Sequence, residues 1–298
     1  MTLPELHLAD WRRTKDTLHL YCQIVGKVRL ATTAPRNHWW NAPLYVDVRG
    51  LTTRRLHHKE TTFQIDFDFV DHSLVVRTHD GRSRSFELDD GVSVADFDAR
   101  LHQALSELEV DVEIKEHPFG LPMRMPFPED REHASYDGAA VERFWHALDW
   151  SAAVLDELAS GFTGKQSPVH LFWHSFDLAQ TRFSGRQAPP VPDADPVTRE
   201  AYSDEVISLG FWAGDANVPE AAYYAYAAPE PAGVRDVEPP AGARWTETGL
   251  VLLPYETVRT APDPRRALLE FLEGSYGLLA DAAGWDRGLL ENHRGSSI

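Results

Sequence analysis

Hydrophobic residues follow two different periods along the chain and predict helices separated by groups of strands. Residues 14–30 place apolar side chains at helical spacing. Between residues 63 and 69, apolar side chains alternate with glutamine and aspartate, as in a strand with one buried and one polar face. Asp80 and Gly81 suit a tight turn between two further strands, and Ser93 resembles the N-cap of a second helix. The first half therefore predicts a helix, an antiparallel meander and a helix.

The second half repeats this order. Residues 141–158 form one long apolar helical stripe, and Asp263 followed by Pro264 predicts the start of the last helix. Strand-like runs lie between these helices, at residues 169–178, 205–212, 221–227 and 249–253. Asp195 and Pro196 predict one short extra helix. The predicted fold class is α+β, with two halves each built as helix, antiparallel β-meander and helix, an order that suggests a pseudo-duplicated arrangement.

Prolines divide the chain into three parts. Four of them between residues 117 and 136 exclude a helix or a central strand there. We therefore predict an N-terminal half at residues 1–116, a proline-rich linker at 117–136 and a C-terminal half at 137–298. The C-terminal half also carries two long proline-rich loops, which in compact proteins are often binding loops or lids.

Composition and charge narrow the classes of partner. The 298 residues are 43% hydrophobic, and 46 acidic against 29 basic side chains give a net charge of −17. Such a charge repels phosphate backbones and anionic lipids, so nucleic acid and membrane surfaces are poor candidates. The single Cys22 excludes an intrachain disulfide. No signal peptide and no apolar run of about 20 residues is seen, so we expect a cytoplasmic protein.

Five long motifs carry a resemblance that spans almost the whole chain. They are residues 17–21 (TLHLY), 37–41 (NHWWN), 63–72 (FQIDFDFVDH), 167–186 (SPVHLFWHSFDLAQTRFSGR) and 195–212 (DPVTREAYSDEVISLGFW). With these motifs the chain resembles a bacterial protein family known only as domain of unknown function 5996. The resemblance implies membership of that family. It implies no activity, cofactor or catalytic residue.

His170 and His174 are the candidate catalytic residues. If residues 169–178 form one strand, both imidazoles lie on the same face with two phenylalanines, as an aromatic and imidazole wall. Such a wall could line a ligand pocket or belong to an aromatic core. An imidazole in a pocket could transfer a proton. A metal site is an alternative, with Asp177 or Glu205 as a further ligand, although four residues along a strand span about 13 Å, too far for one shared zinc ion.

Further residues are candidates for binding a ligand. His38, Trp39 and Trp40 stand in a predicted loop, where two adjacent indoles cannot both point into one core face. Arg182, in a basic segment of an acidic chain, could orient an anionic group. The remaining candidates are aromatic hydroxyls, at Tyr202 and at Tyr223, Tyr224 and Tyr226.

We therefore expect a pocket for a small organic molecule, anionic or aromatic, lined by His38, Trp39, Trp40, Arg182 and Tyr202, with acid–base chemistry at His170 or His174. A non-catalytic interaction module and a metalloprotein are the alternatives. The sequence identifies no cofactor and leaves the oligomeric state open.

Overall fold

The computed structural model of the protein describes residues 3–291. Residues 63–68 of the alternating segment lie in the central strand of an antiparallel sheet, and Phe69 begins the turn that follows. The helices are α1 (Leu8–Thr32), α2 (Val94–Glu107), α3 (Gly138–Ser160), α4 (Pro196–Ala201), α5 (Tyr255–Arg259), α6 (Pro264–Ala282) and α7 (Arg287–Leu290). The first sheet contains β1 (Tyr45–Asp47), β2 (Gly50–Thr52), β3 (Leu56–His58), β4 (Thr61–Asp68), β5 (Ser73–Thr78) and β6 (Ser83–Glu87). The second contains β7 (His170–Phe172), β8 (Asp177–Gln187), β9 (Asp204–Trp212), β10 (Ala222–Ala228), β11 (Arg244–Trp245) and β12 (Val251–Pro254).

The two sheets confirm the α+β class but differ in strand order. The first runs β1-β2-β4-β5-β6, with β3 also paired to β4, and the second runs β11-β12-β10-β9-β8-β7. All described pairings are antiparallel. Because the strands are connected differently, the suggested duplication is not confirmed.

The sheets meet at their edges. Leu44, just before β1, exchanges both backbone hydrogen bonds with Leu171 of β7, at 2.9 and 2.8 Å. Buried side chains from both halves form one continuous hydrophobic core. The predicted linker contributes to it, because Phe127 is fully buried there. Removing apolar surface from water in one shared core couples the stability of the two halves.

Residues 169–178 do not form the single strand that we predicted. The chain turns at residues 173–176, and Phe176 adopts a left-handed conformation with φ 57°. The turn directs Trp173 against α1, where Gly26 leaves the space for its indole ring, and the indole nitrogen donates to the carbonyl of Ala42 at 2.9 Å. His170 and His174 therefore do not share a strand face.

The predicted helix starts at Ser93, Asp195 and Asp263 are confirmed, because each side chain accepts hydrogen bonds from backbone amides in the first turn of α2, α4 and α6, respectively. Asp137, which the sequence analysis did not single out, caps α3 in the same way. These bonds satisfy amides that have no partner within the helix.

Replacing Ser93 with alanine should lower the free energy of unfolding by about 1 kcal/mol, because α2 loses its N-cap. Urea unfolding followed by circular dichroism measures the change. Ser83→Ala is the matched control, since Ser83 is exposed and lies in a strand. Equal stability of the Ser93 variant and the parent would contradict the capping role.

Candidate functional site

The two faces of the second sheet have different surroundings. One face carries Leu178, Leu209 and Tyr223 and joins the main core, beneath α3 and α6. The opposite face, called here the outer face, has a separate small cluster of apolar groups around Tyr224 and Leu252. Strand register places these further side chains on the outer face: Asp177, Thr181 and Phe183 of β8, Ser208 and Trp212 of β9, and Tyr226 of β10.

Tyr224 reaches across a whole strand on the outer face. It stands on β10, and its hydroxyl donates a hydrogen bond to the carboxylate of Asp177 on β8. Gly210 of β9 lies between them, and a Cβ atom there would come within 2.5 Å of the Tyr224 hydroxyl. Ser175 donates to the other oxygen of Asp177. The missing side chain of Gly210 is therefore what allows the phenol ring to lie over the strand.

Further hydroxyl groups on the outer face form hydrogen bonds with one another. Tyr226 and Tyr202 share a hydrogen bond of 3.0 Å between their hydroxyls, and Thr181 and Ser208 share one of the same length. Burial raises the pKa of Tyr224 and of Tyr226 well above the usual range, and the nearby Asp177 acts in the same direction. Both phenols therefore stay protonated and can donate hydrogen bonds. We call Asp177, Tyr202, Tyr224, Tyr226 and Ser208 the tyrosine network.

His174 borders the tyrosine network. Burial lowers the pKa of this imidazole, while the carboxylate of Asp177 raises it by a smaller amount. The ring packs edge-on against Phe172 and Phe119, at centroid distances of 5.5 and 6.0 Å. A neutral imidazole next to a carboxylate is a suitable proton acceptor.

The turn at residues 37–40, called here the HWW turn, has a strained backbone. His38 and Trp39 both take left-handed conformations, with φ of 55° and 59°. Such conformations are unfavourable for residues other than glycine and persist where surrounding contacts impose them. Here the contacts come from α4: the His38 amide donates to Glu200 at 3.1 Å, and the Trp39 indole donates to the carbonyl of Val197 at 3.1 Å.

The imidazole of His38 takes part in a polar cluster at this turn. Lys165 Nζ donates to His38 Nε2 at 2.6 Å and to Asp204 Oδ2 at 2.7 Å. Burial and then the Lys165 charge lower the pKa of His38, against the opposing effect of Asp204. The ammonium also lies 4.5 Å from the ring centroid of Phe183, next to Trp40. Because an ammonium only donates, His38 accepts through Nε2 and is neutral.

The structure brings some predicted site residues together and separates others. His38, Trp39 and Trp40 cluster at the HWW turn, and Tyr202 joins them to the tyrosine network through α4. Asp177 and Phe183 lie six residues apart on β8, or about 20 Å, whereas Ser208 of the network pairs with Thr181, two residues from Phe183. A small molecule that contacts Asp177 therefore does not reach the HWW turn.

Arg182 and His170 lie outside both groups. The Arg182 guanidinium faces the core, donates to the carbonyl of Leu158 at the end of α3 and lies 4.3 Å from the ring centroid of Tyr276. A cation there stabilises the carboxyl end of the helix. His170 is completely buried, beside Tyr45, and neither ring nitrogen has a hydrogen-bond partner among residues 3–291.

The described part of the chain contains no set of side chains that could coordinate a metal ion. Across residues 3–291, no group of three or more histidine, cysteine, aspartate or glutamate side chains could hold a metal ion. Glu205, one of the carboxylates considered from the sequence, is instead held by Arg186 and Ser184, at 2.7 and 2.9 Å.

The comparison with protein families confirms the resemblance seen in the motifs. A family model described as a family of unknown function (DUF5996) matches residues 3–292. No curated protein and no solved structure matches the chain. In residues 3–291, no helix combines the length and the apolar character needed to cross a membrane.

Proposed function

Since the chain belongs to the DUF5996 family, whose function is unknown, we propose its function from the site itself: it binds a small polar organic molecule at the tyrosine network. The observation that carries this proposal is the Tyr224–Asp177 hydrogen bond across Gly210. Asp177 is a half-buried carboxylate on this face, held in place by two side chains, Tyr224 and Ser175. A carboxylate offers about four acceptor sites, so Asp177 can still accept from a ligand.

The chemistry of the network defines the class of ligand. Asp177 accepts hydrogen bonds, so the ligand carries hydroxyl or amino groups. The partly exposed rings of Trp212 and Tyr226 supply flat apolar surface for a ring or a short hydrocarbon part. His174, at the edge of the network, is the group that would accept a proton from a bound hydroxyl. We therefore propose a hydroxylated or aminated ring compound as the ligand class.

Saturation-transfer NMR with a panel of phenols, catechols, aminophenols and monosaccharides tests the proposal. Binders found with the parent protein should bind Tyr224→Phe roughly tenfold or more weakly, because the variant loses the phenol that positions the Asp177 carboxylate. Tyr223→Phe is the matched control. Tyr223 is the neighbouring residue, faces the core and hydrogen-bonds Ser151 at 3.0 Å. Its variant should lose about 1 kcal/mol of stability and keep its affinity.

Two results would contradict the proposal. The first is a panel without any binder to the folded parent protein. The second is a binder whose affinity is the same for Tyr224→Phe and for the parent, which would place its site elsewhere on the molecule.

A further inference from the structure

A groove of about 500 Å³ lies beside α1, and no residue of the tyrosine network lines it. Its wall consists of Lys27 of α1 and the consecutive residues 114–119. Two of these, Lys115 and His117, add basic groups, while Phe119 forms an apolar end next to His174. The volume is within the range of small-molecule sites. Lys27 and Lys115 outnumber the one carboxylate of the wall, Glu116, so in a chain with a net charge of −17 this groove is a local site for an anion.

Lys27 occupies an unusual position in that groove. The residue is only 9% exposed, and its Nζ atom lies 5.7 Å from the ring centroid of Phe127 and 6.0 Å from that of Trp173. No carboxylate among residues 3–291 lies within ion-pair distance of it. Aromatic faces stabilise an ammonium less than a carboxylate does, and they leave the nitrogen lone pair accessible once the proton is lost.

We propose that Lys27 is a reactive amine that forms an imine with a small aldehyde or ketone carrying a carboxylate, such as a 2-oxo acid, held in this groove. The Lys27 nitrogen attacks the carbonyl carbon and the C–N bond forms. The carbonyl oxygen takes up the two protons that the neutral amine gives up and leaves as water, so that one amine and one carbonyl give one imine and one water. The Lys115 ammonium attracts the carboxylate of the reactant.

The electrostatics of the groove support this chemistry. Burial, and secondly the positive charge of Lys115, lower the pKa of Lys27 to about 8. A buried lysine beside another cation is a known way to obtain a neutral, nucleophilic amine near neutral pH. Lys115, Glu116 and His117 are the other titratable groups that line the groove.

Reductive trapping on the intact protein tests the inference. The chain has five lysines, Lys15, Lys27, Lys59, Lys115 and Lys165. The protein is incubated at pH 7.5 with limiting glyoxylate and sodium cyanoborohydride, which reduces any imine to a stable secondary amine, and the modified peptides are quantified by mass spectrometry. We expect Lys27 to react at least tenfold faster than the exposed Lys59. Propionaldehyde, which is uncharged, should show a much smaller preference for Lys27.

Variants show whether the labelling of Lys27 depends on the groove or only on how exposed each lysine is. Lys27→Arg keeps the positive charge and should abolish the preferential adduct, whereas Lys115→Gln should slow the labelling of Lys27 several-fold. The inference is overturned if glyoxylate modifies the lysines in order of their exposure, or if glyoxylate and propionaldehyde show the same preference for Lys27. Neither result depends on ligand binding at the tyrosine network.

Discussion

Lowering the pH from 6 to 4 should reduce the free energy of unfolding by roughly 5 kcal/mol through His19 and His170 alone. Burial lowers the pKa of each imidazole to about 3, with further lowering from Lys15 at His19 and from Arg29 and Arg54 at His170. In the unfolded chain both histidines take up a proton near pH 6.5, while the folded protein keeps them neutral. Their contribution is therefore complete above pH 6.5 and is lost progressively towards pH 3.

Urea unfolding of the parent protein and of His170→Phe at pH 6, 5 and 4 measures this effect. Phenylalanine fills a similar volume and removes two ring nitrogens that have no partner in the described structure, so the variant should be more stable at every pH. Its advantage over the parent should grow by roughly 2–3 kcal/mol between pH 6 and pH 4. His57→Phe, at an exposed position, is the control for the exchange of a histidine for a phenylalanine. Parallel pH profiles for the parent and His170→Phe would contradict this, since they would show that His170 takes up its proton equally in the folded and unfolded states.

The segment around His170 shows which structural features the sequence does not predict. Apolar and polar side chains alternate along β4, a strand of eight residues. This alternation predicts the strand, because it depends only on neighbouring residues and not on contacts with distant ones. The stretch around His170 also alternates, but a turn interrupts it at residues 173–176. That turn contains neither glycine nor proline, and it follows from the packing of Trp173 on Gly26, a contact between residues far apart in the chain. Local patterns do not encode such a contact.

Parts of the candidate site could be predicted in the same local way. In a strand, neighbouring residues face opposite sides, so Tyr223 and Tyr224 had to belong to different faces of β10. The hydrogen bond from Tyr224 to Asp177 could not be predicted, since it depends on the order of three strands and on the side chain missing at Gly210. Neither Lys165 nor Lys27 stands in a recognisable sequence motif. Both became candidates only because the fold places aromatic rings and polar groups around their ammonium groups.

Gly210→Ala should therefore have one of the largest effects on both stability and the candidate site. The new Cβ would overlap the backbone oxygen of Leu178 as well as the Tyr224 ring, and a strand in the middle of a sheet cannot move away from its neighbours. We expect a loss of roughly 3 kcal/mol in the free energy of unfolding, at the upper end of overpacking effects. Urea unfolding measures the loss, and ligand-observed NMR measures the affinity of any binder at the tyrosine network.

Gly277→Ala is the matched control for that substitution. Gly277 lies inside α6, where the nearest atoms to a Cβ would be those of the flexible Arg287 side chain, at ordinary contact distance. Alanine there should raise stability by roughly 0.5–1 kcal/mol, because it restricts the unfolded chain and favours the helix. If Gly210→Ala unfolded at the same urea concentration as the parent, β9 would have room for a side chain. The close crossing of Tyr224 over β9, on which the tyrosine network depends, would then be wrong.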